Sequence, residues 1–365
     1  MTLALKPNAA QRESLMRIAD WLVVGIAVAL PWSTSATIIG VALWALAVIP
    51  TIEPQDLKRE MSRPAALLPV ALFALAVIGM LWSPVILKER IGGLDSFLKI
   101  LTIPLLFIQF RRSERGHWVL GGFLLSGLLL LATSGLSMVA PTIGGRAWSK
   151  SYGLPVKDYI AQSAVFTICA FGVFYLAIDA FRLRWRFLGA VLVVLGLLFL
   201  ADMFFVVTSR TALLTIPFLL VLIGIRQFGW KGTVAVCIIG GVVAAAVWAA
   251  SPNVRQRLGN LFVEVEAYRT SNEQTSAGQR VDFWTRAAKS IADAPVLGHG
   301  TGSIRESFRR TAVGHGPSSL VPVNPHNQIL AVGIQLGFVG VFLLIAFWIS
   351  HFALFLKGTG IVSWV

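Results

Sequence analysis

Residues 327–356 read NQILAVGIQLGFVGVFLLIAFWISHFALFL, without one Asp, Glu, Lys or Arg. About 20 apolar residues in α-helical conformation cross the hydrocarbon core of a bilayer, so this stretch predicts a membrane helix. Working outward, further apolar runs stand at 18–31, 34–50, 65–82, 92–110, 117–140, 158–181, 187–207, 211–225 and 232–250, giving about ten spans in all. In lipid each span must satisfy its own backbone polar groups. The fold class is therefore all-α, a polytopic transmembrane helical bundle with a partly helical outer loop. Composition agrees: 56% hydrophobic and 13% charged residues over 365 positions lie far from the soluble range, as does a mean hydropathy of +0.77. Cys169 and Cys237 fall inside apolar runs and read as small hydrophobes, with no disulfide or cysteine metal site expected. The first two runs share the turn Pro31-Trp32-Ser33 and read as a hairpin, and no cleavable signal peptide is expected before them.

A net charge of +14 would suggest nucleic acid in a soluble protein. Here it is the Lys/Arg surplus that cytoplasmic loops carry, and no nucleic-acid partner is expected. If the spans alternate, Lys6, Arg12, Arg17, Lys58, Arg59, Arg63, Arg111, Arg112, Arg115, Arg182, Arg184, Arg186, Arg226 and Lys231 share one side, the cytoplasmic one. The outer side receives 83–90, 141–157, the Ser209-Arg210 junction and a polar insert at 251–325. The chain thus divides into a bundle of about nine spans (1–250), a large outer loop (251–325), and a closing helix with a cytoplasmic end (326–365). Within the insert, Ser276-Ala277-Gly278-Gln279 fits a capping box. Val281, Trp284, Ala288 and Ile291 then recur at helical spacing, predicting an amphipathic surface helix near 279–292 that stops at Asp293-Ala294-Pro295. Gly298-His299-Gly300-Thr301-Gly302 reads as a tight turn.

Candidate chemistry starts at His326, in Pro325-His326-Asn327. Asn327 can cap the last helix, leaving the imidazole at a helix N-terminus, where a base is favoured over a cation. The bland alternative is an interfacial histidine hydrogen-bonded to a loop. Gly333, Gly337 and Gly340 read as a small-residue stripe that admits a second helix. Arg146, Arg210 and Arg280 lie on the outer side, against the positive-inside bias, and suggest an anionic ligand, since guanidinium binds phosphate bidentately; their alternative is anchoring to lipid phosphate. No Asp-x-Asp, His-Glu-x-x-His or carboxylate cluster occurs on the outer face, so no metal and no cofactor is expected. Asp95 and Lys99, four apart, read as an intrahelical pair. Asp202 and Asp282 remain alternative bases.

These residues carry a resemblance. His326-Asn327, nine residues, then Gly337-x-x-Gly340 resembles the His-[Asn/Ser/Gln]-x9-Gly-x-x-Gly pattern of bacterial O-antigen ligases. Residues 278–284 with 294–300 are similar to the outer loop of the wider ligase and O-antigen polymerase superfamily, and Ser209-Arg210-Thr211 to its arginine at the start of a span. Such proteins commonly have about twelve spans. The resemblance implies an inner-membrane glycosyltransferase with a periplasmic site. The donor would be undecaprenyl diphosphate-linked O-antigen, the acceptor the lipid A core oligosaccharide, with membrane lipids as the surroundings. Arg210 and Arg280, with Arg146 and Asn327, would hold the diphosphate and substrate in place of a metal, and His326 would be the base. Related readings are an O-antigen polymerase and a protein O-oligosaccharyltransferase. A transporter of an anionic lipid-linked sugar is the reading from another class.

Overall fold

The computed structural model describes residues 8–143 and 146–357. The helices are α1 (Ala9–Ala29), α2 (Thr34–Val48), α3 (Pro54–Met61), α4 (Pro64–Gly79), α5 (Leu87–Leu98), α6 (Thr102–Phe110), α7 (Gly116–Val139), α8 (Tyr159–Arg182), α9 (Arg186–Phe205), α10 (Arg210–Ala250), α11 (Pro252–Ser271), α12 (Ser276–Asp293), α13 (Ile304–Arg310) and α14 (Gln328–Lys357). Between α7 and α8, the strands β1 (Thr142–Ile143) and β2 (Arg146–Ala147) pair antiparallel. Among the described residues the protein is all-α apart from this short pairing and one isolated bridge between Ser151 and Leu154. Helix starts follow local chemistry: Ser33 caps α2 through Ala36 N–H, and Asp158 Oδ1 accepts from Ile160 and Ala161 N–H at 2.9 Å.

Among the described residues, seven helices are long and apolar enough to cross a membrane, or eight if the bent pair α3–α4 counts as one span. Three features separate this from the ten apolar runs. Run 18–31 falls mostly within α1, which ends at Ala29 and whose first half carries Arg12, Glu13 and Arg17. Run 65–82 becomes α4, which meets α3 at 94°. Runs 211–225 and 232–250 form the two helical halves of α10, which meet at a kink at Gly229 (φ 65°, ψ −170°). Gly224 lies against Thr233 and Gly240 against Leu220, so α10 folds back on itself, and the positive φ at its apex is one glycine adopts without a steric penalty.

The chain packs as two compact units. Among the described residues one gathers 8–50 and 114–259, the other 51–113 and 260–357. In the first, Leu130, Phe166, Cys169, Phe171 and Phe199 form a buried core with Ile223 of α10. Beside it, α8, α9 and both halves of α10 enclose an apolar hollow of about 630 Å³. In the second, α14 packs along α4, with Leu72, Ala76, Phe97, Val332, Leu336 and Leu344 buried between α4, α5 and α14. There Arg111 pairs with Glu60, and Arg112 with Asp56. The expected Asp95–Lys99 pair does not form among the described residues: α5 ends at Leu98, and Lys99 opens a 3₁₀ turn, which shifts it off the i,i+4 face.

Candidate active site

Residues 324–327 and helix α12 of the second unit meet at the entrance of α14. Asn327 caps the helix, its Oδ1 accepting from Ile329 N–H (3.0 Å) and Leu330 N–H (3.3 Å). His326 precedes it with φ +56°, a left-handed conformation uncommon outside glycine. It is held by its own N–H, which donates to Asn324 Oδ1 at 2.7 Å, and by its ring, stacked on Phe283 of α12 (6.4 Å between centroids, 19° between planes). The next residue of α12, Trp284, donates its indole N–H to Pro325 O at 3.1 Å. His326 is exposed, and among the described residues its imidazole makes no hydrogen bond. The ring is thus fixed in orientation while both nitrogens stay open to a ligand.

Arg280 lies on the same face of α12, three and four residues before Phe283 and Trp284, which places it one turn from the two contacts with 325–326. It is half-buried and, among the described residues, makes no hydrogen bond or ion pair. Its neighbour Arg286, which the sequence reading passed over, is buried. It pairs with Asp282 (3.1 Å) and donates to Thr311 Oγ1, Leu320 O and Phe308 O. Asp282 also accepts from Tyr268 Oη (3.3 Å) and Ser318 Oγ (3.0 Å), so this candidate base is committed to holding 308–320 against α12. Burial, and then the adjacent carboxylate, raises the Tyr268 hydroxyl above the usual tyrosine range. The cap of α12 is Thr275, accepting from Gly278 N–H at 3.1 Å, not Ser276; the helix starts earlier than the apolar periodicity alone indicates.

Gly333 lies against Ile291 of α12, as a small residue admitting a second helix should, but Gly337 acts differently. Gly337 breaks α14 with φ 59° and ψ −159°. The segment 295–300 lies along the break: His299 N–H donates to Ile334 O (2.8 Å), Gly300 N–H to Gln335 O (2.9 Å) and Phe338 N–H to Pro295 O (2.7 Å). A Cβ on Gly298 would stand 2.5–2.6 Å from backbone atoms of residues 335–337, and one on Gly337 would meet the Val296 carbonyl. What approaches is a loop backbone that repairs the hydrogen bonds of a broken helix. The turn at 298–302 is then anchored by Thr301, whose Oγ1 donates to Ala76 O at 2.6 Å, while His299 Nε2 lies 2.8 Å from Ser290 O.

Arg210 belongs to the first unit. It is half-buried at the start of α10, its Nε donating to Arg257 O at 2.8 Å. Arg257 lies over the Tyr159 ring at 5.0 Å, and Arg255 donates to Trp248 O and Ala249 O. Arg255 and Arg257 were within reach of sequence reasoning, being basic residues of the same outer insert. Arg146 forms part of β2, and its side chain lies outside the described residues. Asp202 is buried in the first unit, where Ser134 Oγ donates to it at 2.6 Å and Gln162 Nε2 at 3.5 Å.

Fold and site together define a multi-pass helical membrane protein with an open imidazole at a helix entrance and an arginine one helical turn from the Phe283 ring that the imidazole lies against. The sequence model of a family described as O-antigen ligase matches residues 195–345, less than half of the chain. That match assigns the segment bearing Arg210, Arg280, His326, Gly337 and Gly340 to the O-antigen ligase/polymerase superfamily. An uncharacterized protein of Haemophilus influenzae is 28% identical over 128 residues, covering 34% of this chain and 31% of that relative. The chain therefore aligns with about a third of that relative's length.

Proposed function

We propose that the protein is an O-antigen ligase that moves polysaccharide from undecaprenyl diphosphate to a hydroxyl of the lipid A core oligosaccharide at the periplasmic face of the inner membrane. The observation that carries this is the His326 imidazole, lying against the Phe283 ring with its backbone N–H held by Asn324 and both ring nitrogens free, and Arg280 on the same face of α12 as Phe283. In the reaction, an imidazole nitrogen takes the proton of the acceptor hydroxyl as that oxygen attacks the anomeric carbon. The bond from that carbon to the diphosphate oxygen breaks, and its electron pair leaves with undecaprenyl diphosphate. A single displacement of this kind inverts configuration. Arg280 offsets the growing charge on the leaving group, the task a metal performs elsewhere, and the resemblance implies the same task for Arg210 and Arg146.

The test combines purified protein, lipid-linked O-antigen and rough lipopolysaccharide, with EDTA and without nucleotide. A polysaccharide ladder on lipopolysaccharide that survives chelation and is absent with His326→Ala is the expected result. Lengthening of the lipid-linked glycan without lipopolysaccharide product would replace the ligase by a polymerase, and no change in either glycan would favour transport. The His326-Asn327-x9-Gly337-x-x-Gly340 spacing is what favours the ligase over the polymerase.

A further inference from the structure

The first unit holds a second polar hollow, of about 580 Å³, formed where the α1–α2 turn meets the 147–157 loop. Its lining includes Trp32, Trp148, Lys150, Lys157, Ser35 and Ser149, and no acidic residue. Both indole N–H groups are already committed, Trp32 Nε1 to Ser126 Oγ (2.8 Å) and Trp148 Nε1 to Ala140 O (2.6 Å). The two rings are therefore held in place by bonds pointing into the protein. Both ammonium groups are tethered by one bond each, Lys150 Nζ to Lys157 O (2.6 Å) and Lys157 Nζ to Leu30 O, which leaves each with further protons to donate.

The loop that carries Trp148 is itself clamped. Gly153 O accepts from Gln162 Nε2 at 2.8 Å, and Ser134 Oγ, whose one proton goes to Asp202, lies 2.8 Å from the same carbonyl oxygen. Gly153 has φ 68°, and Val206 occupies the space a side chain would need. Buried Asp202 takes part in the same network, so a carboxylate with no role in the proposed reaction helps hold the loop that lines this shallow hollow. Ordered aromatic rings offer a flat apolar surface at little entropic cost. Beside them stand two positive charges, hydroxyl groups and no competing anion.

We propose that this hollow binds an anionic glycan, a pyranose stacked on the tryptophans whose phosphate or carboxylate group meets Lys150 and Lys157. It extends the glycosyl-transfer reading, yet it involves neither His326 nor Arg280, and binding is read without turnover. An inactive protein that binds glycan here and an active one that does not are therefore distinguishable.

The full chain in detergent is titrated with two probes, deacylated core oligosaccharide from rough lipopolysaccharide and O-polysaccharide released from its lipid, with a neutral dextran oligosaccharide as reference. Binding is followed by saturation-transfer NMR. The expected result is that at least one anionic probe binds more tightly than dextran and weakens with added salt, and that Trp148→Ala and Lys150→Gln each weaken it about tenfold. Whichever probe binds names the source of the glycan. Lys150 is exposed, so its substitution separates loss of binding from loss of folding. Equal affinity for dextran, or unchanged affinity in Lys150→Gln, would overturn the proposal.

Discussion

His326 combines a strained backbone with an unengaged ring, which makes it possible to separate its chemistry from its structural role. Glycine accepts φ +56° without the penalty of about 1 kcal/mol or more that a side chain incurs there. His326→Gly is therefore expected to leave the thermal midpoint of the detergent-solubilised protein unchanged or raised, while transfer falls at least about 100-fold, the scale of general-base catalysis. Near-normal transfer in that variant would remove the base assignment. Arg286 makes the opposite case. It is buried against an equally buried Asp282, and removing one member of such a pair costs about 3–5 kcal/mol. Arg286→Met should destabilise the protein strongly in a thermal scan, whereas Arg280→Ala, with no partner to orphan, should be nearly neutral in the same scan.

Among the elements, α14 shows how a membrane helix can be interrupted at low cost. Its break at Gly337 frees backbone groups of 334–339, and residues 295–300 satisfy them. Gly337→Ala would force a side chain into the Val296 carbonyl at a left-handed position. The amides of His299, Gly300 and Phe338 should then exchange hydrogen much faster, measured by mass spectrometry, and transfer should drop although His326 is eleven residues away. Unchanged protection of those amides would show that the docked loop does not depend on the glycine. This element also marks the limit of the motif: the glycine spacing was visible in the sequence, but its purpose was misread, because a small-residue stripe and a helix break look alike until the partner is seen. The α12 cap was misplaced by one residue for a similar reason, since Thr275 and Ser276 are both competent caps and only the backbone geometry chooses between them.

For the whole molecule, the charge bias predicts which side faces the periplasm, and labelling tests it directly. In a background without Cys169 and Cys237, a membrane-impermeant maleimide added to intact cells with a permeable outer membrane should modify Lys289→Cys, on the exposed face of α12, but not Arg59→Cys on α3 until the inner membrane is opened. The reverse pattern would invert the proposed orientation. Diphosphate binding is tested at Arg210 and Arg280 one residue at a time, since each guanidinium can bind phosphate on its own. Replacing either by Ala should weaken undecaprenyl diphosphate binding, read with a fluorescent analogue, and Lys should restore it only partly because it lacks the planar fork. Unchanged binding in both variants would remove the arginines from the donor site. The sequence by itself determined the helical membrane class, the capped entrance of α14 and the interest of His326, since hydropathy, cap chemistry and short motifs are local properties. Only the tertiary structure decided that the turn between the two spans of α10 falls at Gly229, that Asp202 and Asp282 are committed to holding loops, that Gly337 admits a loop backbone, and that Phe283 lies against the histidine ring. Each of these depends on which distant backbone comes within hydrogen-bond reach, and no local pattern encodes that.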